Sequence, residues 1–334
     1  MARKNGPVNM VDVAQRAGVS IATVSRALRG TGEVNVATRD RILQVADELG
    51  YVVSPEASAL ASRSTRRVAV VLPTVEAWFY ATMLAGIEES VHAAGLDVMI
   101  YQVDGEQQRT RFIQELPARR KVDAVVLAAL PLLSEEEQRL DLLGVHVIIA
   151  GGEMRDFPHV CADEGEMSRL AIDHLRALGH ERVAMIRTSD TDGAVWSSDR
   201  IRTEAWTAAF GASLPPEYLV TQPSGATAGA DGMARLWALP ERPTAVLAYS
   251  DEIGMSAMGF LAQAGARVPD DVSIIGFDGH PMAEAFGLTT VSQSVREQGR
   301  RAGRMAAGLV NGDAYAIDQT VEVALVARAS TAQA

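Results

Sequence analysis

Residues 10–29 read Met-Val-Asp-Val-Ala-Gln-Arg-Ala-Gly-Val-Ser-Ile-Ala-Thr-Val-Ser-Arg-Ala-Leu-Arg. The spacing predicts two short helices hinged at Gly18, where glycine supplies a left-handed turn that side chains resist. Val13, Ala14 and Ala17 on the first helix can pack against Val24 and Leu28 on the second. Ser20 stands as the N-cap of the second helix, with Thr23, Ser25, Arg26 and Arg29 on its polar positions. Together they read as a helix-turn-helix, a motif whose second helix is built to enter the DNA major groove.

Outward from this stretch, Gly30-Thr31-Gly32 reads as a loop, and Asn35 as the cap of a third helix from Val36 to Leu49. Ile42, Val45, Ala46 and Leu49 recur at helical spacing, and Gly50 ends the helix before Tyr51. Residues 54–63 form a short helical candidate, with Ser54 as cap, Pro55 at the first helical position and Glu56 at the positive end of the dipole. A helix this short needs outside support to form in water.

The chain of 334 residues carries a formal net charge of −11, unevenly spread. Residues 1–67 hold a net +4 and the remainder a net −15. A basic head can meet phosphates while an acidic body repels non-specific DNA. No apolar run reaches the roughly 20 residues that span a bilayer. Nothing after Met-Ala-Arg-Lys-Asn-Gly-Pro resembles a signal peptide, so export is not expected. The single cysteine, Cys161, excludes an intrachain disulfide framework and fits a reducing cytoplasm.

From Arg67 onward, strands and helices alternate. Strands are expected at 68–72, 97–101, 124–128, 146–149, 183–186, 245–249 and 273–276, with a last one near 321–326. Helices are expected at 80–94, 107–120, 167–178, 202–210, 253–264 and 296–310. This alternation predicts an α/β fold with parallel sheets covered on both faces, in about two units.

Several words in order along the chain now mark a resemblance. They are Val-Asp-Val-Ala-Gln-Arg-Ala-Gly-Val-Ser (11–20), Thr-Val-Ser-Arg (23–26) and Glu-Leu-Gly-Tyr (48–51). Further on come His-Leu-Arg-Ala-Leu-Gly-His (174–180), Val-Pro-Asp-Asp-Val-Ser-Ile-Ile-Gly-Phe-Asp (268–278) and Leu-Thr-Thr-Val-Ser-Gln (288–293). Over nearly its whole length the chain resembles the lactose-repressor/galactose-repressor (LacI/GalR) family of transcription regulators. The resemblance implies a three-helix headpiece (1–53), a hinge helix and linker (54–66), and a two-lobed core like periplasmic binding proteins. Residues 67–163 with 294–318 would form the N-terminal lobe, and 164–293 with 319–334 the C-terminal lobe.

It further implies a homodimer on a pseudo-palindromic, double-stranded operator, with a small-molecule effector between the lobes. By match to the family's motif, Ile21 and Ala22 take the main base-reading positions. Ser20, Thr23, Ser25, Arg26 and Arg29 add base or phosphate contacts, and Ala57 and Leu60 belong to the hinge helix. Ile21 and Ala22 cannot make bidentate hydrogen bonds, so shape and thymine-methyl contact fall to them and guanine reading to Arg26. Leu60 matches a leucine that wedges into the minor groove. Ser54-Pro55-Glu56 and Ser58 depart from the usual hinge pattern, in which a basic residue is frequent.

Effector contacts are expected where loops leave the carboxyl ends of strands. The candidates are Trp78, Tyr80, Trp196, Arg202, Ser250, Asp251, Asp278 and Gln293. The aromatic residues could stack on a sugar ring, and the Arg202 fork could hold two hydroxyls or a carboxylate. Blander roles stand beside these: Asp251 as a helix cap, Phe79 as core, and Arg202 paired with Glu204 or Asp199. Gly151-Gly152 replaces an Asp-Arg common at that place in the family. Asp163-Glu164 and Glu135-Glu136-Glu137 read as solvated charge, and His174 and His180 as structural.

No Gly-x-Gly-x-x-Gly follows a strand, no P-loop occurs, and the six histidines lack metal-ligand spacing with Cys161. Neither a cofactor, a metal, catalysis nor a membrane partner is expected. The reading is a cytoplasmic, dimeric repressor of carbohydrate genes that senses a sugar. A purine or nucleoside sensor of the same family is the alternative within it, and a transport-type sugar-binding protein the alternative outside it. The end, Thr331-Ala-Gln-Ala, carries no leucine heptad, so a tetramer built by a C-terminal coiled coil is not expected.

Overall fold

A reciprocal cap starts the first helix. In the computed structural model, which describes residues 8–29, 34–51, 64–115, 117–132, 134–154, 156–211, 214–313 and 318–334, Asn9 precedes α1 (Met10–Ala17). Its side chain accepts from the Val11 and Asp12 N–H groups, and the Asp12 carboxylate accepts from the Asn9 N–H at 2.9 Å. Gly18 ends α1 with φ 67°. Ser20 opens α2 (Ile21–Arg29), its hydroxyl accepting from the Thr23 N–H at 3.1 Å. Asn35 caps α3 (Val36–Leu49) by accepting from the Ala37 N–H at 2.9 Å. Val13, Val24 and Ile42, one from each helix, are fully buried where the three meet. The chain separates after Thr65 into this unit and a larger one, Arg66–Ala334.

The larger unit opens with β1 (Arg67–Leu72), α4 (Trp78–Ala93), β2 (Asp97–Gln102), α5 (Gly105–Glu115) and β3 (Ala124–Ala128). Then come α6 (Ser134–Glu137), a 3-10 turn (Leu140–Leu143), β4 (His146–Ala150) and β5 (His159–Ala162). The second lobe runs α7 (Glu164–Ala177), β6 (Val183–Ser189), α8 (Ser197–Trp206), β7 (Leu219–Pro223), α9 (Ala228–Trp237) and β8 (Ala245–Ala248). It continues with α10 (Asp251–Gln263), β9 (Ser273–Asp278), α11 (Met282–Ala285) and β10 (Thr289–Ser292). The long α12 (Val295–Asn311) follows, then β11 (Asp318–Val321) and β12 (Ala324–Val326).

Two six-stranded sheets result, in the orders β11-β5-β4-β3-β1-β2 and β12-β10-β9-β8-β6-β7. All pairs are parallel except β10 with β12. Helices on both faces explain why β3 is buried at every residue. The chain passes between sheets three times: after β5, after β10 and after β11.

Four differences from the sequence reading have physical causes. The strand expected near 321–326 is two strands, one in each sheet, because Glu322-Val323 breaks the pairing. The chain therefore returns to the second lobe after Val321, and not at 318/319. The four-residue strands β5 and β10 and the edge strand β7 were missed, since all are short and β7 ends at a proline. So was α9, whose approach through Gly225-Ala-Thr-Ala-Gly229 reads as a loop. The helix expected at 202–210 begins at Ser197 and widens into a π-turn over Thr207–Gly211.

Helices α4 and α12 lie in close contact because glycines line their crossing. A Cβ on Gly86 would strike the Arg296 carbonyl, and one on Gly299 the Met83 carbonyl. Backbone on both sides leaves nothing flexible to yield. Gly86→Ala is expected to destabilise the protein by about 1–3 kcal/mol in urea unfolding; wild-type stability would show that the helices can part freely.

Candidate functional site

The strands of both sheets end toward one shared region, and the loops that leave them carry the polar and aromatic residues. Each parallel strand hands over to a helix at its carboxyl end, so helix starts and loop side chains converge there. Arg202, on α8, lies at the centre of this convergence and is 3% exposed. Its Nε and Nη2 donate to the two Glu164 carboxylate oxygens at 2.7 and 3.0 Å. Nη1 donates to the Tyr249 carbonyl at 2.6 Å. The guanidinium carbon stands 4.2 Å from the Phe277 ring centre and 4.9 Å from that of Tyr249. The partner is neither Glu204 nor Asp199: Glu204 binds Arg200, and Asp199, fully buried, binds Arg187.

A second strand of hydrogen bonds continues from here. Asp278 ends β9 with φ 106°, a left-handed conformation that costs a non-glycine residue energy and concentrates at functional sites. Its carboxylate accepts from Gln293 Nε2 at 2.7 Å, and Gln293 Oε1 accepts from Gln298 Nε2 at 2.9 Å. Burial pushes the Asp278 carboxyl well above its usual range, although the Arg202 charge opposes this. Tyr249 is likewise raised by burial, and its hydroxyl pairs with Ser198 at 2.9 Å.

Aromatic walls bridge the lobes. The Ala129 carbonyl, at the end of β3, accepts from Trp196 Nε1 of the other lobe at 2.8 Å and from the Tyr80 hydroxyl at 3.3 Å. The Trp78 and His280 rings meet at a tilt of 54° with centroids 4.7 Å apart, and the Trp78 backbone N–H donates to Glu252 at 3.3 Å. Arg109, 2% exposed, donates to Glu136 at 2.9 Å within its own lobe and to Asp190 across the gap at 3.0 Å. The Glu106 N–H donates to Asp192 at 2.6 Å. Phe79 packs on the core, beside Gly151.

Of the expected cleft residues, Tyr80, Trp196, Arg202, Asp278 and Gln293 thus come together. Trp78 sits on a separate cross-lobe contact. Ser250 is absorbed in capping α10, accepting from the Ile253 N–H at 3.3 Å. Asp251 is not the cap: it is fully buried, and its carboxylate accepts from the His280 N–H at 2.7 Å. It holds the turn after β9 from behind.

On α2, Ile21 is 48% exposed, and Ala22 and Arg26 are exposed beside it. Half-buried Thr23 shares its hydroxyl with Ser20 at 2.8 Å, and Arg26 Nε donates to the Ala22 carbonyl at 3.3 Å. Ser25 is half-buried, and Arg29 is the last residue of the helix. Ala57 and Leu60, with the whole expected hinge helix, lie outside the described residues.

Residues 9–54 match the family of bacterial regulatory proteins, lacI family, and residues 172–331 match a periplasmic binding protein-like domain. The chain carries a lacI-family DNA-binding domain and a periplasmic-binding-protein-like domain. The HTH-type transcriptional regulator DegA of Bacillus subtilis (strain 168) is 29% identical over 311 residues, covering 89% of this chain and 91% of that protein. The lac repressor dimer bound to operator and the anti-inducer ONPF has the same fold, with TM-score 0.85 at 24% identity over 98% of this chain and 100% of that one. The transcriptional regulator CelR in complex with cellobiose is similar with TM-score 0.69 at 26% identity, over 97% of this chain and 99% of that one. The chain is a DNA-binding transcriptional regulator.

The reading of two acidic runs is corrected by their partners. Asp163 is the cap of α7, accepting from the Glu166 N–H at 2.9 Å, and Glu164 turns onto Arg202. Glu136 is buried against Arg109. Sequence reading took both as solvated because the partners lie 38 and 27 residues away. At Gly151, φ 74° favours glycine, and a Cβ there would crowd Met83 Cε at 2.9 Å. His174 and His180 hold the tail: His174 meets the Thr331 hydroxyl at 2.9 Å, and His180 the Ala332 carbonyl at 3.1 Å.

Burial pushes the Asp251 carboxyl up to about 6, against the lowering effect of Thr290 and the His280 and Gly279 N–H groups. A raised folded-state value favours folding below the unfolded pKa and loses that contribution as pH rises through the folded one. Asp251→Asn should therefore gain stability relative to wild type between pH 4 and pH 7, by on the order of 2 kcal/mol. Parallel unfolding curves across that window would contradict the burial of a charge there.

Proposed function

We propose that this lacI-family regulator is a repressor of carbohydrate-utilisation genes. It grips a pseudo-palindromic operator as a homodimer and changes its DNA affinity when a sugar occupies the cleft between its lobes. The observation that carries this reading is the convergence of Tyr80, Trp196, Arg202, Asp278 and Gln293 from two lobes on one region, beside aromatic faces suited to a sugar ring. The cellobiose complex of CelR supports the sugar. An action on operator DNA would place the protein in the cytoplasm.

A homodimer is supported by the outer face of the first lobe. There β2 is an edge strand, with Ile100 52% exposed, and Val75, Leu84 and Val98 line a groove of ≈ 470 Å³ against α4. An exposed apolar edge of this kind calls for a cover.

The mechanism is a population shift. Effector binding favours one arrangement of the lobes, whose cross-lobe contacts are discrete and therefore switch between states. The segment at 54–66, with Ala57 and Leu60 against the minor groove, transmits that choice to the headpiece. Coupling of about 1–3 kcal/mol is typical of such linkage.

At the operator, exposed Ile21 and Ala22 supply shape and methyl contacts, and Arg26 the polar reading of guanine. Fluorescence anisotropy with DNA flanking the protein's own gene tests this. Wild type should prefer a palindromic site over scrambled DNA by about a thousandfold or more. Arg26→Ala should cut that preference by about tenfold to a hundredfold. An unchanged preference would remove Arg26 from base reading, and no preference in wild type would overturn the regulator's proposed operator.

A further inference from the structure

Three arginines are buried or nearly so around the cleft, and each already faces a carboxylate. Arg109 meets both Glu136 and Asp190, Arg187 meets Asp199, and Arg202 meets Glu164. Asp278 adds a further carboxyl beside Arg202, within reach of its charge. Asp104 lies near enough to Asp190 and Asp192 that their charges, after burial, raise its carboxyl. Carboxyls therefore outnumber cations here among the described residues, and the cleft is a poor host for an anion.

Arg202 is the residue that could reverse this, since a guanidinium fork is the natural receptor for a carboxylate or phosphate. Glu164 forecloses it. The carboxylate takes Nε and Nη2 side by side, the geometry an anionic ligand would need, while the Tyr249 carbonyl takes Nη1. Glu164 is itself held in place as the first residue of α7, directly after the capping Asp163. The side chain of Glu164 is 16% exposed against 3% for Arg202, so the carboxylate is the more accessible member of the pair.

We propose that Glu164 determines effector class: by occupying the Arg202 fork it makes the cleft select uncharged, hydroxyl-bearing effectors and reject phosphorylated or acidic ones. The proposal rests on the cleft being the effector site. Glu164 and Asp278 then present acceptors to hydroxyl groups, which donate to them, and Arg202 serves to orient Glu164.

The test uses the full-length chain and thermal-shift titration at constant ionic strength. The probes are glucose, galactose, ribose and cellobiose, matched with glucose 6-phosphate, glucuronate, galacturonate and ribose 5-phosphate, and inorganic phosphate set against chloride. For wild type, stabilisation should come from neutral members alone, and phosphate should act no differently from chloride. In Glu164→Gln the fork faces a neutral partner, and the apparent affinity for inorganic phosphate should rise by about tenfold or more. Glu164→Ala provides a second variant with the fork open, and Glu164→Gln combined with Arg202→Met should lose the phosphate response.

Wild-type stabilisation by an acidic member but not its neutral partner would overturn the proposal and leave the cleft as effector site intact. So would a folded Glu164→Gln and a folded Glu164→Ala that both ignore phosphate. A gain of phosphate binding in these variants, with no sugar stabilising wild type, would support the role of Glu164 and count instead against the sugar reading.

Discussion

A guanidinium cannot be buried alone, and the second unit is arranged around meeting that demand for Arg202. The cost of stripping water from such a charge is several kcal/mol and is offset only by close, well-directed partners. Here they come from three places far apart in sequence: Glu164 at the start of α7, the Tyr249 carbonyl after β8, and the Phe277 ring in β9. Satisfying one side chain therefore brings residues from the ends of β5, β8 and β9 together. That condition also brings Asp278 and Gln293 alongside, and so the ion pair shapes the cleft before any effector enters it. Replacing one partner alone would leave the other buried and uncompensated, which makes the pair hard to lose piecemeal.

The same region joins the lobes. Trp196 to Ala129, Arg109 to Asp190 and Glu106 to Asp192 are short, directional contacts between elements of different sheets. The three chain crossings let the sheets turn relative to each other, while the contacts hold one arrangement. A ligand that competes for these groups, or completes them, shifts the balance between arrangements only by its differential affinity for them. In the DNA-binding unit the corresponding constraint is simpler. Val13, Val24 and Ile42 fill the centre, which leaves Ala22 and Arg26 outward on the opposite side of α2 and Ile21 exposed as its first residue. An isoleucine left half in water at the start of a helix is stabilised only when something apolar covers it.

Local signals made much of this legible in the sequence. Caps at Ser20 and Asn35, left-handed glycines at 18 and 50, and apolar strands such as Ala124–Ala128 depend on neighbours within a few residues, and the structure has them. What stayed hidden depends on distant partners. Nothing near Glu164 or Glu136 in sequence marks them as partners of buried arginines, and nothing near Asp251 shows that it supports the turn at His280. The strained backbones at Ala129 and Asp278 are likewise imposed by tertiary contacts. The two-residue break that parts β11 from β12 is too short for periodicity to register.

The account's central claim is that the state of the inter-lobe cleft and the hold on DNA are one linked equilibrium. Pulsed electron spin resonance between two labels, one on each lobe, measures that link most directly, with Cys161 replaced by serine so that only the introduced sites react. Addition of a palindromic operator fragment to the full-length protein should narrow the distance distribution or move its centre by about 2 Å or more, the scale of subunit and domain switching. A distribution identical with and without operator, under conditions where the DNA is bound, would contradict the account.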